Sequence, residues 1–321
     1  MGKIDAEAKL FFRNPEVVAD LFNTFVFKEK IVDPAALKEL DTAETVRKGD
    51  TGDAGGKEIE KARDVLVLAL KELNGQELCV LGIENQASID WGMVVRCCVY
   101  DVMQYNKQMT ALIKQHEAKY KAAHPGKRYY GKLKEGDTLT PVKTVVVFLN
   151  SGEWNAPRTL HDIFGEYPDG FLKHFSNYEM ALVVPSELDN TALEQYSSEL
   201  REVFSYIKAS KDKKSLHALV QGNERFETLS KDAANLINVT TDSKLTINAE
   251  EEVFNMCEAL KEMRMDAIAE GRAEGRAEGE AKGRDEKAIE IAIELKGLLS
   301  DEVIAEKTKL PLEVVKALKQ A

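Results

Sequence analysis

Helical and strand-like hydrophobic patterns alternate along the chain. In NPEVVADLFNTFVF, residues 14–27, the apolar Val17, Leu21 and Phe25 recur at helical spacing and predict a helix, with a turn at Val32-Asp33-Pro34. Residues 47–57, RKGDTGDAGGK, are rich in Gly and Asp and predict a mobile loop. DVLVLALKEL and QELCVLGIENQ then read as two strands joined at Asn74-Gly75. Both are apolar at most positions, the pattern of strands covered on two faces. A helical pattern from Trp91 to about Ala123 turns Lys-rich in its second half, and VKTVVVFLN, 142–150, and YEMALVVP, 178–185, predict two further strands. Strands separated by a helix point to a mixed α/β core.

From about 186 to 270 the chain reads as mostly helical, with a connection at VTTDSKLT. In AEGRAEGRAEGEAKGR, 269–284, Gly271, Gly275, Gly279 and Gly283 recur every four residues. Each glycine costs a helix roughly 1 kcal/mol against Ala. The segment is therefore either a charged linker or a helix packed closely on a partner chain. Three short helices are expected after it, with Ser300 capping the second and Pro311 opening the third, similar in pattern to a small helix-turn-helix module.

Composition narrows the function. With 321 residues, 44% of them hydrophobic, the chain is long enough for one large domain or two ordinary ones. A net charge of -11 excludes a protein that holds polyanions by its overall field, so nucleic acid has to meet a local basic patch. Residues 107–143 offer one, with nine Lys and Arg against three Asp and Glu and with Tyr120, Tyr129 and Tyr130 interleaved; Lys127, Arg128 and Lys132 are its candidate DNA contacts. Cys79, Cys97, Cys98 and Cys257 lack metal-ligand or disulfide spacing and are expected to be reduced. The charged N-terminal stretch and the absence of a long apolar run predict a cytoplasmic protein with no membrane partner.

The chemistry lies where the second strand ends, at Glu84-Asn85-Gln86. Strand alternation puts Glu84 and Gln86 on one face and Asn85 on the other. The preceding strand begins at Asp64. Two carboxylates at the ends of adjacent strands form a hard-oxygen site suited to Mg²⁺. A strict two-residue loop at Asn74-Gly75 would set Asp64 opposite Asn85, on the wrong face, so a shared site demands a three-residue connection or a β-bulge near Asp64.

These residues resemble the D...ExK core of the PD-(D/E)xK nuclease superfamily, with Gln86 where Lys is more usual. More specifically, ADLFN, LKELD, RDVLVLAL, GIENQASIDWGMVVRCCVYDVMQYNKQ, TPVKTVVVFLNSGEWNAPRTLHDIF and NYEMALVVP resemble, in order from about residue 10 to 190, the bacterial recombination-promoting nuclease (Rpn) family. The resemblance implies a PD-(D/E)xK restriction-endonuclease-like mixed sheet flanked by helices, with a helical C-terminal extension. It implies a Mg²⁺- or Mn²⁺-dependent DNA endonuclease that promotes recombination or mobility of DNA. Asp64 and Glu84 would hold the metal and Gln86 would orient the water or a phosphate oxygen, with Asp20, Arg96 and Tyr100 as accessory residues and Gln108 on the phosphate path. The expected organisation is a nuclease domain at 1–190, a helical extension at 191–268, a Gly/Ala/charged linker or helix at 269–286 and a helical tail at 287–321. DNA and a second copy of the chain are the expected partners, since cutting both strands calls for two sites. The competing expectation is a catalytically degenerate nuclease fold that binds DNA or assembles oligomers. Trp154 and His161 are expected to be structural, and no serine-hydrolase, P-loop or paired CxxC pattern is present.

Overall fold

The computed structural model describes residues 2–46, 59–62, 64–71, 77–248 and 250–318. The expected loop at 47–57 and the turn at Asn74-Gly75 lie outside the described residues. The chain divides into two compact units, Met1–Cys257 and Glu258–Ala321.

In the first unit, helix α1 (Lys3–Phe11) precedes α2 (Pro15–Leu21). Asn14 starts α2 by accepting from the Glu16 N–H, with Pro15 in the first turn. The chain then widens into a π-helical turn, Phe22–Phe27, that stops at Lys28 in a left-handed conformation (φ 59°). Strand β1 (Leu37–Glu39) leads to the hairpin β2 (Ala43–Val46) and β3 (Ile59–Ala62), and then to β4 (Val65–Leu70) and β5 (Glu77–Gln86). A 31-residue helix, α3 (Met93–Ala123), crosses over to β6 (Val142–Phe148), and β7 (Ala181–Val183) follows. The main sheet has the order β1-β4-β5-β6-β7. It is mixed: β1, β4 and β5 run antiparallel, while β6 and β7 run parallel to β5.

Register assigns the two faces. Leu66, Val80, Gly82, Glu84, Val142, Thr144 and Val146 share one face, where α3 covers them through Tyr105, Cys97 and Val94. Trp154 meets Phe148 edge-on in this core, a packing role as expected. The other face carries Val65, Val67, Leu81, Ile83, Val145 and Val147, all buried. Strands buried on both sides explain why their sequences show little alternation.

The helical extension expected from residue 191 does not stand apart. Helices α4 (Asn190–Glu194), α5 (Leu200–Ala209), α6 (Lys213–Val220), α7 (Glu224–Glu227) and α8 (Lys231–Thr241) belong to the first unit, with short strands β8 (Leu229–Ser230) and β9 (Val253–Phe254) paired between them. The physical reason is packing: α1 lies on α8 and α2 on α5, so the N-terminal helices need them for burial. Helix α9 (Met256–Leu295) takes in the glycine-repeat segment, and with α10 (Asp301–Thr308) and α11 (Leu312–Ala317) it forms the second unit around Ala292, Ile304 and Val315. Residues 269–284 lie within α9 and are helical. Among the described residues no helix is long and apolar enough to cross a membrane.

One buried carboxylate ties α3 to the sheet. Asp101 accepts from Thr144 Oγ1 at 2.6 Å and from the Tyr178 hydroxyl at 2.7 Å, and burial beside Asp101 raises the Tyr178 pKa. Asp101→Ala removes a charged acceptor and leaves two buried hydroxyls without it, a cost of about 2–4 kcal/mol. The expected outcome is a lower urea midpoint with an unchanged m-value.

Candidate active site

The β4–β5 ladder runs from Leu70 opposite Glu77 to Val65 opposite Ile83, with a register shift between Ala69 and Leu70. The shift accommodates Leu78 as an extra residue in β5, and continuing the pairing by one step sets Asp64 across from Glu84. A bulge is thus present, but at the far end of the ladder rather than beside Asp64, which lies in a bend beyond the last pair, Val65–Ile83.

Asp64 occupies a bend one residue before β4. Its Oδ2 accepts from the Asn85 N–H at 2.7 Å and its Oδ1 pairs with Lys9 Nζ of α1 at 3.1 Å. Desolvation raises the Asp64 pKa; the Asn85 N–H and Lys9 pull it down without cancelling that effect, and nearby Asp5 raises it further. Glu84 is buried on the α3 face, where Oε2 lies 3.5 Å from the Arg96 guanidinium. Arg96 also bonds Asp90 at 3.0 Å, through its other terminal nitrogen. Gln86 follows Glu84 on the same face at the strand end, half-buried, its backbone oxygen accepting from Leu149. Tyr100, one turn beyond Arg96 on α3, is buried.

The two acids therefore share a strand end while their cationic partners come from helices on opposite faces. Between them lies Asn85, whose buried carboxamide has no hydrogen-bond partner among the described residues. Such an orphan costs about 1–3 kcal/mol and marks a place where the fold serves something other than stability. As donors, two carboxylates and an amide carbonyl fit Mg²⁺, which takes one or two protein carboxylates and keeps its remaining waters. Among the described residues no group of three His, Cys, Asp or Glu side chains is placed to hold a metal, so a third acid does not join them.

The other expected residues go elsewhere. Asp20 is not an available accessory acid: one oxygen accepts from Ser197 N, Ser197 Oγ and Thr24 Oγ1, the other from Ser198 N and Ser198 Oγ. Five donors make it a brace between α2 and the turn before α5. Gln108 is a clamp, its amide donating to Thr140 O at 3.0 Å and accepting from Thr140 N at 2.7 Å at the entry to β6. His161 contacts the Phe175 carbonyl at 3.1 Å, in keeping with a structural role.

Lys127, Arg128 and Lys132 are exposed, but on the segment that links α3 to β6. That segment folds back on α3: His116 meets Asp137 at 2.9 Å, and a Cβ on Gly131 would lie 2.4 Å from Ile113. Arg96 sits in the first turn of α3, whereas the basic segment doubles back to Ile113 and His116, about 25–30 Å farther along the axis at 1.5 Å per residue. The structure separates the basic patch from the acidic strand end.

Lys9 and Asp5 were not legible as site residues, because the charged stretch KIDAEAKLF does not announce a helix. The Asp5-Lys9 spacing of one turn was the available signal. A scan against protein-family models and searches of curated proteins and of solved structures find no match to this chain.

The Asp64 shift has a sign. Its folded pKa lies above the unfolded value, so the stability linked to it is fully present below the unfolded pKa and is lost as pH rises through the folded one. At pH 7, Asp64→Asn is expected to leave the melting temperature unchanged or raise it by up to about 4 °C. A calorimetric scan that instead shows a fall of several degrees would make Asp64 a stabilising cap.

Proposed function

We propose that the chain is a Mg²⁺-dependent DNA endonuclease of the PD-(D/E)xK type, promoting recombination or mobility of DNA. The observation that carries this reading is Asp64 bonded to the Asn85 N–H, next in sequence to Glu84, at the end of a buried hairpin that leads into a helical crossover. Asp64 and Glu84 would hold the metal, which when bound polarises the phosphate and lowers the pKa of an attacking water.

The chain's own residues have distinct tasks. Lys9 pairs with Asp64 and Arg96 with Glu84, each cation orienting its carboxylate. The Asn85 N–H fixes the Asp64 rotamer. Gln86 orients the water or a phosphate oxygen by hydrogen bonding, without positive charge. In the hydrolysis, the water oxygen bonds to phosphorus, the ester P–O bond breaks and the leaving sugar oxygen takes a proton. Cutting a duplex needs two such sites, which favours a homo-oligomer.

A second reading draws on the same contacts. Lys9 and Arg96 already neutralise the two acids from opposite faces, which also suits a nuclease-like fold that binds DNA or a partner without cutting.

Plasmid cleavage separates the two. Cutting with Mg²⁺ that stops with EDTA, and falls at least a hundredfold in both Asp64→Ala and Glu84→Ala, supports the endonuclease. Cutting that persists in both variants removes the assignment, and no cutting by the parent chain favours the binding protein.

A further inference from the structure

The Asp64 carboxylate already holds a cation. Lys9 Nζ lies 3.1 Å from Asp64 Oδ1 and 3.7 Å from Asp5 Oδ2, so one ammonium bridges an acid at the sheet end and an acid one turn earlier on its own helix. Asp5 is near enough to repel the Asp64 charge, and the ammonium between them offsets that repulsion. The two Asp64 oxygens differ in how firmly they are held. Oδ2 accepts from the backbone N–H of Asn85, a fixed donor, whereas the partner of Oδ1 is the end of a flexible four-carbon stem.

Two further observations mark this spot as a cation site rather than a finished ion pair. Strand alternation turns the Asn85 side chain to the α1 face, the side from which Lys9 reaches Asp64, and its carboxamide is 8% exposed with no hydrogen-bond partner for either polar atom among the described residues. An amide oxygen beside a carboxylate makes a pair of hard donors. Lys9 and Asp64 also border a cleft of about 410 Å³ whose walls carry Arg13 and Glu39, one charge of each sign, so an ion can reach the pair from that side. A divalent ion and an ammonium oppose each other at Oδ1, because like charges in contact with one oxygen repel.

We propose that Lys9 is a built-in placeholder for the metal: its ammonium occupies the cation position at Asp64 when no metal is bound, and a divalent ion enters by displacing it onto Asp5. The proposal rests on the metal role given to Asp64 above and adds the regulation of that site. The released ammonium keeps a partner, since Asp5 lies one turn away on α1 and is partly exposed. Apparent metal affinity is then lowered by the fraction of chains in which Lys9 holds Asp64. Lys9 thereby sets the metal concentration at which the site fills. It is a positioning residue, acting through Asp64.

The test is a Mn²⁺ titration of the full chain without DNA, followed by the electron paramagnetic resonance signal of the free ion, with Asp64→Asn identifying the part of the binding that belongs to this site. Lys9→Met is expected to tighten that binding about fivefold to tenfold. Arg13→Gln removes an exposed cation from the same cleft without touching the pair and should change it less than about twofold. Lys9→Arg keeps the pair and grips the carboxylate more firmly, so it should weaken metal binding severalfold; if Lys9→Met fails to fold, this variant decides. Melting gives a second readout: in EDTA Lys9→Met should melt below the parent, with the gap closing in saturating Mn²⁺, whereas a purely structural tether would lower both alike. Unchanged or weaker binding in Lys9→Met, an equal gain in Arg13→Gln, or unchanged binding in Lys9→Arg overturns the proposal and leaves the metal site standing. Absence of Asp64-dependent binding in both the parent and Lys9→Met overturns the proposal and the metal role together.

Discussion

The register between β4 and β5 governs what this fold can do. Side chains alternate faces along a strand, so a slip of one residue sends every one of them to the other side. The extra residue accommodated in β5 opposite the Ala69–Leu70 step fixes that parity. With it, Val65, Val67, Leu81 and Ile83 point to one helical layer, and Leu66, Val80 and Glu84 to the other. The same parity brings Asp64 to the step beside Glu84. Core packing and the placement of Glu84 are thus one decision, because a register that turned Glu84 to the other face would also turn Leu81 and Ile83.

The parts that could be read from the sequence are those where a single local signal was strong. β4, β5 and β6 are nearly continuous apolar runs, and the boundaries of α3 followed from its amphipathic period. Where signals were weak or distant, local patterns did not reach. The edge strand β1 is three residues, LKE, with two of them polar and exposed. Helix α1 is disguised by charge. Asp20 looked like any acid on an amphipathic helix, and only the fold reveals that Ser197 and Ser198 surround it. The basic segment was correctly placed in sequence, yet its distance from Glu84 depends on the length of a helix that carries it away from the strand end.

The same helix organises the electrostatics. At its start Arg96 spans Glu84 and Asp90; in its middle Asp101 binds Thr144 and Tyr178; beyond its end the chain doubles back through His116 and Asp137. One element therefore carries three polar tasks at three depths: a charged strand end, a buried hydrogen-bonded network and an exposed basic loop. In a chain with a net charge of -11, collecting positive charge at one end of one helix, away from the acids, prevents the two from neutralising each other.

Asp20 has a consequence for how the molecule comes to exist. Its contacts to Ser197 and Ser198 join residues 177 and 178 positions apart, and α1 packs on α8 across a longer span. Contacts of such long range are slow to form, since loop closure comes before any gain from packing. As the chain emerges from the ribosome, the sheet can pair through β7 while the apolar sides of α1 and α2 still wait for α5 and α8. A chain that stops near residue 190 lacks α5 and α8, so the apolar sides of α1 and α2 are without the cover those helices supply.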